Sequence, residues 1–338
     1  MFSRASLDTA YRDLPVLVTG GLGFIGSNLA IRLVGMGARV TVLDNLNPGQ
    51  GGNRENLAPV IGDVTLMLAD QADREAISEA VRGKAVIFNL AGRVAHFDSI
   101  KDPFGDLHSN GTAQLALLEA CRALNPETKV VFAGTRSQYG RIVQRPVRED
   151  HPQLATDLNG ANKAAAERYH AVYHTVHGLR TSSLRLTNTF GPRQLMAHAR
   201  QGFMNWFTRL AMDGGEILVY GDGAQLRDLV YVDDVVDAFL IAGLDPAADG
   251  EAFNIGSGDP VSVRRLAETL VAASGRGAVR SVEYPPDQRP IEIGDYVADI
   301  TKVRRVLGWS PTVSLEDGIA RTIAYFEPRR AVYWDATT

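Results

Sequence analysis

The apolar run P15-V-L-V-T19 passes without a break into G20-G-L-G-F-I-G26, and a segment of helical periodicity follows at once. Three glycines at Gly20, Gly23 and Gly26 allow a turn too tight for a side chain, a close approach of backbone to a bound anion, and close seating of a helix on a sheet. A glycine triplet alone is a weak signal. Here it sits between a strand and a helix, which makes it the first turn of a βαβ unit.

The rest of the first half repeats that unit. Short runs apolar on both faces, "PVLVTG", "RVTVLD", "VTLMLAD", "AVIFNLAG", "KVVFAGT" and "RTSSLRL", alternate with "FIGSNLAIRLVGMG", "DREAISEAVRG", "NGTAQLALLEACRAL" and "NKAAAERYHAVYHTVHG", whose apolar residues recur at three and four. Right-handed crossovers then build a parallel sheet between two layers of helices. The expected fold is α/β, a Rossmann-type doubly wound parallel sheet over residues 13–187, with chain returns from the C-terminal half. Residues 188–330 lose this rhythm in "NTFGPRQ", "DGGEILVYGDGAQLRD" and "YPPDQRPIEIGD", which reads as a smaller C-terminal substrate lobe of mixed α/β structure.

Composition narrows the partners. With 35 Lys and Arg against 39 Asp and Glu among 338 residues, the net charge of −4 gives no general attraction to nucleic acid or an anionic membrane, so any anion must be bound by local donors. The single cysteine, Cys121, excludes an intramolecular disulfide and falls in a helical core pattern. No apolar leader precedes the first strand and no uncharged stretch is long enough to cross a membrane, so a cytoplasmic location is expected.

Around the glycine loop, with Phe24 and Ile25 inside it, a dinucleotide finds its pyrophosphate site at a helix N-terminus. Asp44 ends the second strand, beside Asn45 and Leu46. An acid there accepts from the adenosine ribose hydroxyls and repels a 2′-phosphate, so it favours NAD over NADP. Asp70 and Gln71 end the third strand, where the adenine edge lies. Leu90, Ala91 and Gly92 end the fourth, and all these loops share one face.

The combination of "TGGLGFIG", "LDNL", "NLAG", Asn110-Gly111-Thr112, "TRSQYG", Lys163, "LRLTNTFGPR", "GDGAQLRDLVYVDDVVDA" and "LGWSP" covers almost the whole chain. It resembles the extended short-chain dehydrogenase/reductase family, specifically the nucleotide-sugar epimerases and dehydratases. The resemblance implies a tightly held NAD that takes a hydride from a sugar carbon and returns it. It also implies a C-terminal lobe that holds a UDP-, GDP- or dTDP-linked sugar, and a homodimer built through two helices per subunit. Asn110 and Lys163 join the cofactor set by this resemblance. Thr135 occupies the position of the hydroxyl that orients the reacting group, and Lys163 that of the lysine that binds the nicotinamide ribose.

One position departs from the family. Four residues before Lys163, where a tyrosine acts as general base, stands Asn159. A carboxamide does not titrate near neutral pH and cannot take a proton. Three readings stay open at this point: another group acts, with Tyr139, His96, His198 or a water ordered by Asn159 and Lys163 as candidates; the reaction needs no strong base here; or the chain binds nucleotide sugars without turning them over.

Arg136 and Ser137 follow Thr135 where dehydratases of the family carry an acidic pair and decarboxylases a glutamate. Elimination favours C4 epimerisation. Arg136 and Arg93 are alternatively carboxylate ligands for a nucleotide-linked uronic acid, which would be decarboxylated or oxidised, or plain loop and salt-bridge residues. Family position assigns Asn188, Arg227 and Arg289 to the diphosphate, and Leu218, Tyr220 and Gln201 to the nucleobase. Asp233 and Asp234 read as the N-terminal cap and first turn of a helix rather than a metal site. His170, His174 and His177 read as a surface face, and no metal is expected.

Overall fold

The computed structural model describes residues 4–94, 96–199, 202–283 and 294–334. All six expected runs are strands: β1 (Pro15–Thr19), β2 (Arg39–Asp44), β3 (Thr65–Leu68), β4 (Val86–Asn89), β5 (Lys129–Thr135) and β6 (Arg180–Leu186). Seven further strands follow: β7 (Asn188–Phe190), β8 (Glu216–Tyr220), β9 (Leu226–Arg227), β10 (Leu229–Tyr231), β11 (Ala252–Ile255), β12 (Val261–Ser262) and β13 (Ala278–Val282). The helices that frame the main sheet are α1 (Arg4–Tyr11), α2 (Phe24–Gly35), α3 (Arg74–Val81), α4 (His96–Lys101), α5 (Pro103–Leu107), α6 (Ala113–Leu124), α7 (Leu158–His177), α8 (Phe203–Asp213) and α9 (Val232–Leu244).

One seven-stranded parallel sheet runs in the order β11-β6-β5-β4-β1-β2-β3. Successive side chains point to opposite faces, so each strand feeds two cores. Val16, Val18, Val42, Phe88 and Val131 pack with residues of α2 and α9, such as Leu29 and Phe239. Leu17, Leu43, Ile87 and Val130 pack on the other side with Ile77, Leu117 and Cys121. Burying each such side chain contributes about 1.5–3 kcal/mol. Cys121 is a core residue, its thiol pushed up to about 12 by burial.

Two local expectations change. β3 closes the sheet edge and is only half covered, with Thr65 and Leu68 exposed, so its apolar pattern does not mean burial on both faces. The N-cap of α9 is Tyr231, not an aspartate. Asp233 and Asp234 do lie in its first turn, but the buried Asp234 carboxylate accepts from Thr312 N, Thr312 Oγ1 and Val313 N, so it pins the loop after Trp309. Asp233 stands 3.9 Å from Arg321.

The later half returns to the sheet through α9 and β11. Its remaining strands form three two-stranded pairs, β7 with β10, β9 with β12, and β8 with β13. No described helix is long and apolar enough to cross a membrane.

Candidate active site

Strand order reverses between β1 and β4, and a cavity of about 520 Å³ opens beyond the carboxyl ends of the strands there. Every residue assigned to the cofactor lines it except Leu46 and Asn110. Gly20 takes the left-handed conformation at φ +69°, and a Cβ on it would stand 2.8 Å from Ala91 N. A Cβ on Gly26 would stand 2.2 Å from Gly20 O. Both positions therefore exclude a side chain.

Asp44 holds the loop as well as facing the cavity. Its carboxylate accepts from Leu22 N at 2.9 Å and Leu46 N at 2.7 Å. Burial pushes its pKa up while these two N–H groups pull it down. At the same end, His108 Nε2 lies 3.5 Å from Asp70 Oδ1, and Asn45 donates to Asp70 at 3.1 Å.

The far end is built from β5 and α7. Asp157 caps α7 by accepting from Gly160 N at 2.8 Å, and Gly178 ends the helix at φ +70°. That register places Asn159 and Lys163 one turn apart, and both line the cavity. Lys163 Nζ donates to Ala133 O at 3.1 Å and sits 4.9 Å over the Phe132 ring. Burial lowers its pKa to about 8, against an upward pull from the Asp106 carboxylate. Asn159 donates to Arg93 O at 2.7 Å and to Asp106 Oδ2 at 3.2 Å.

Thr135 opens a short turn after β5 as a reciprocal cap. Its Oγ1 accepts from Ser137 N at 3.3 Å, while Gln138 Oε1 accepts from Thr135 N at 2.8 Å. Gln138 Nε2 in turn donates to the buried Glu167, which pairs with Arg185 at 2.6 Å. A buried ionic network therefore fixes the turn that carries Thr135, Arg136 and Ser137 into the cavity.

The proton-exchange candidates separate. Tyr139 is fully buried, its hydroxyl donating to Asn254 Oδ1 at 2.6 Å and accepting from Arg185 at 2.7 Å, and burial raises it to about 12. It faces away from the cavity and is no proton acceptor there. His198 does not line the cavity, and the side chain of His96 lies outside the described residues. Arg93 carries a 2.5 Å salt bridge to Asp102. Arg136 lines the cavity, stacks 5.7 Å over Tyr296 and donates to Asn188 Oδ1 at 3.4 Å. Asn188 also lines it.

The remaining substrate candidates stand elsewhere. Leu218 and Tyr220 lie on β8, and Arg227 on β9 donates to Leu226 O and Gly294 O at 3.0 Å, none of them lining the cavity. Gln201 and Arg289 lie outside the described residues. His170 is not on the surface: it is buried against Phe132 with ring centroids 4.6 Å apart, while His177 is exposed. Sequence reasoning missed Asp106, which the short helix α5 brings in and which Asn159 and Asn162 bind at 3.2 and 2.8 Å. Its only signal was the pair of asparagines on one face of α7.

Residues 16–256 match the NAD dependent epimerase/dehydratase family. The chain belongs to that family. It is 35% identical over 314 residues to the UDP-glucose 4-epimerase of Mycolicibacterium smegmatis, covering 92% of this chain and 97% of that one. It is 31% identical to a UDP-N-acetyl-alpha-D-glucosaminuronate decarboxylase of Bacillus cytotoxicus, covering 92% and 97%. The Thermus thermophilus UDP-glucose 4-epimerase, solved with NAD, superposes with a TM-score of 0.83 at 32% identity, covering 94% of this chain and all of that one.

NAD is the cofactor of this family, and the residues here fit it. The Asn110 Oδ1 and Gln71 Oε1 acceptors are buried and unpartnered in the protein alone. Asn110 Oδ1 and Lys163 Nζ would stand 2.5 and 3.1 Å from a Cβ on Gly92, a cradle kept open by that glycine.

Proposed function

We propose that the chain is an NAD-dependent nucleotide-sugar 4-epimerase with Asn159 in place of the family tyrosine. NAD supplies a hydride acceptor that gives the hydride back. The residues that would hold it are the glycine loop, Asp44, Asn110 and Lys163. Thr135 and Ser137 would orient the reacting sugar hydroxyl, with their own turn locked by Gln138. Asn188 and Arg136 would meet the anionic part of the substrate, and Arg227, Arg289, Leu218, Tyr220 and Gln201 stay proposed on family position alone, as contacts to the nucleotide beyond the cavity.

One observation carries the choice of reaction. Among the described lining residues, the only carboxylates are Asp44 and Asp70 at the adenine end. Elimination of water needs an acid and a base beside the sugar, whereas inversion at C4 needs only a keto sugar presented by its other face. Incubation with UDP-, GDP- and dTDP-hexoses tests this: a C4 epimer of one of them supports it. Native turnover that Asn159→Tyr does not create separates a working enzyme from a degenerate binder, in which turnover would appear only with the tyrosine.

A second reading rests on Arg136 beside Thr135, whose planar fork suits a sugar carboxylate. Carbon dioxide release from a nucleotide-linked uronic acid would favour it. The assembly proposed is a homodimer through α6 and α7, which present the exposed apolar residues Leu115, Val172 and Val176.

A further inference from the structure

The missing phenol leaves a chemical requirement that the lining residues must meet. Oxidising a sugar hydroxyl requires its proton to leave, and the acceptor must titrate near the working pH. The Asn159 amide does not titrate, and its nitrogen is committed to Arg93 O and Asp106. The Thr135 and Ser137 hydroxyls are too weakly acidic to hold an exchangeable charge, and guanidinium groups such as Arg93 and Arg136 stay protonated. Tyr139 is sealed behind Arg185 and Asn254.

We infer that Lys163, the one amine at this end among the described lining residues, takes the proton from the reacting hydroxyl and returns it, on the epimerase reading above. The O–H bond breaks as an N–H bond forms on neutral Nζ, giving an ammonium; the hydride leaving the same carbon is the nicotinamide's share. On the return, the ammonium gives the proton back to the sugar oxygen. A neutral amine keeps two N–H bonds and one lone pair, so Nζ can go on donating to Ala133 O while its lone pair accepts.

Burial brings this amine to about 8, where both forms are populated near neutral pH. The charged and titratable groups around it are few. From α5 the buried Asp106 raises the lysine, and from α7 itself Lys163 lowers His170, which is neutral. β5 contributes only the Phe132 ring and the Ala133 carbonyl. Asn159 thereby acquires a role: with Asn162 it holds the Asp106 carboxylate, which does not line the cavity but sets the charge balance of the lysine. Asp106 is a positioning residue in this account.

The test uses the full chain carrying its NAD. The kcat of the wild type should rise with pH through a midpoint well below the ordinary lysine value of 10.5, and the Lys163 Nζ resonance in lysine-labelled protein should titrate with the same midpoint. Asp106→Asn should move both midpoints down by roughly 0.5 pH unit or more, because a carboxylate that favoured the ammonium is gone. Lys163→Arg, which keeps a cation at the cofactor but cannot release a proton, should lose turnover by about 100-fold or more when the rate is expressed per NAD bound, measured as nucleotide released on denaturation. Turnover in Lys163→Arg within tenfold of wild type, or a flat rate while the resonance titrates, overturns the inference and leaves the epimerase standing. If Asp106→Asn does not fold, the arginine variant and the resonance decide. No turnover by wild type with any nucleotide sugar overturns the epimerase reading itself.

Discussion

Asn159 Nδ2 donates to the Arg93 carbonyl at 2.7 Å, joining the first turn of α7 to the segment after β4. The same nitrogen serves Asp106. Asn159 therefore ties two walls of the cavity together. Asn159→Ala leaves a buried carboxylate and a backbone carbonyl short of a donor, and should cost about 1–3 kcal/mol. Denaturant unfolding reads this directly; an unchanged midpoint would show the bonds contribute nothing.

The glycine loop makes a sharper demand. Gly26→Ala places a Cβ where Gly20 O stands, so α2 must shift from the loop. Overpacking of this kind costs about 1–3 kcal/mol. The expected result is protein that purifies with several-fold less bound NAD than wild type, measured after denaturation. Full occupancy in the variant would mean the close approach is not needed.

His170 should make stability depend on pH. Its ring accepts from Asn89 through Nε2 and donates to Ala166 O, and burial lowers its pKa from 6.5 to about 4. The unfolded chain therefore binds the proton first as pH falls. Stability from this group is present in full above pH 6.5 and is lost as pH falls toward 4, by about 3 kcal/mol in total. His170→Gln should flatten that part of a stability–pH curve; an unchanged slope would assign the loss to carboxylates.

If α6 and α7 form the subunit contact, charge on the exposed face of α7 should break it. Val172→Glu with Val176→Glu is expected to give a monomer by light scattering, with the far-ultraviolet spectrum unchanged. A dimer that survives both changes would place the interface elsewhere.

Six of the seven strands of the sheet were legible because each carries its own apolar run, whereas β11 was not among the expected runs. That Gly20, Asp44 and Asp70 line one cavity was legible for the same reason, since they stand at the ends of successive strands. Tyr139 and His170 were misread because a sequence shows spacing but not which side of a helix or loop faces the sheet. Asp106 was invisible for a different reason: α5 is a short helix, and its approach to α7 depends on long-range contacts with Asn159 and Asn162. The substrate assignments within residues 188–330 came from resemblance alone: Asn188 lines the cavity, whereas Leu218, Tyr220 and Arg227 do not.

The central claim is that a hydride leaves C4 of a nucleotide-linked sugar and returns to the same carbon. A UDP-hexose deuterated at C4 tests it most directly, with the product analysed by mass and proton resonance and reduced nicotinamide followed by absorbance. The account predicts a C4 epimer that keeps its deuterium, with no accumulation of NADH. Loss of the label to solvent, or NADH rising in step with product, would contradict it.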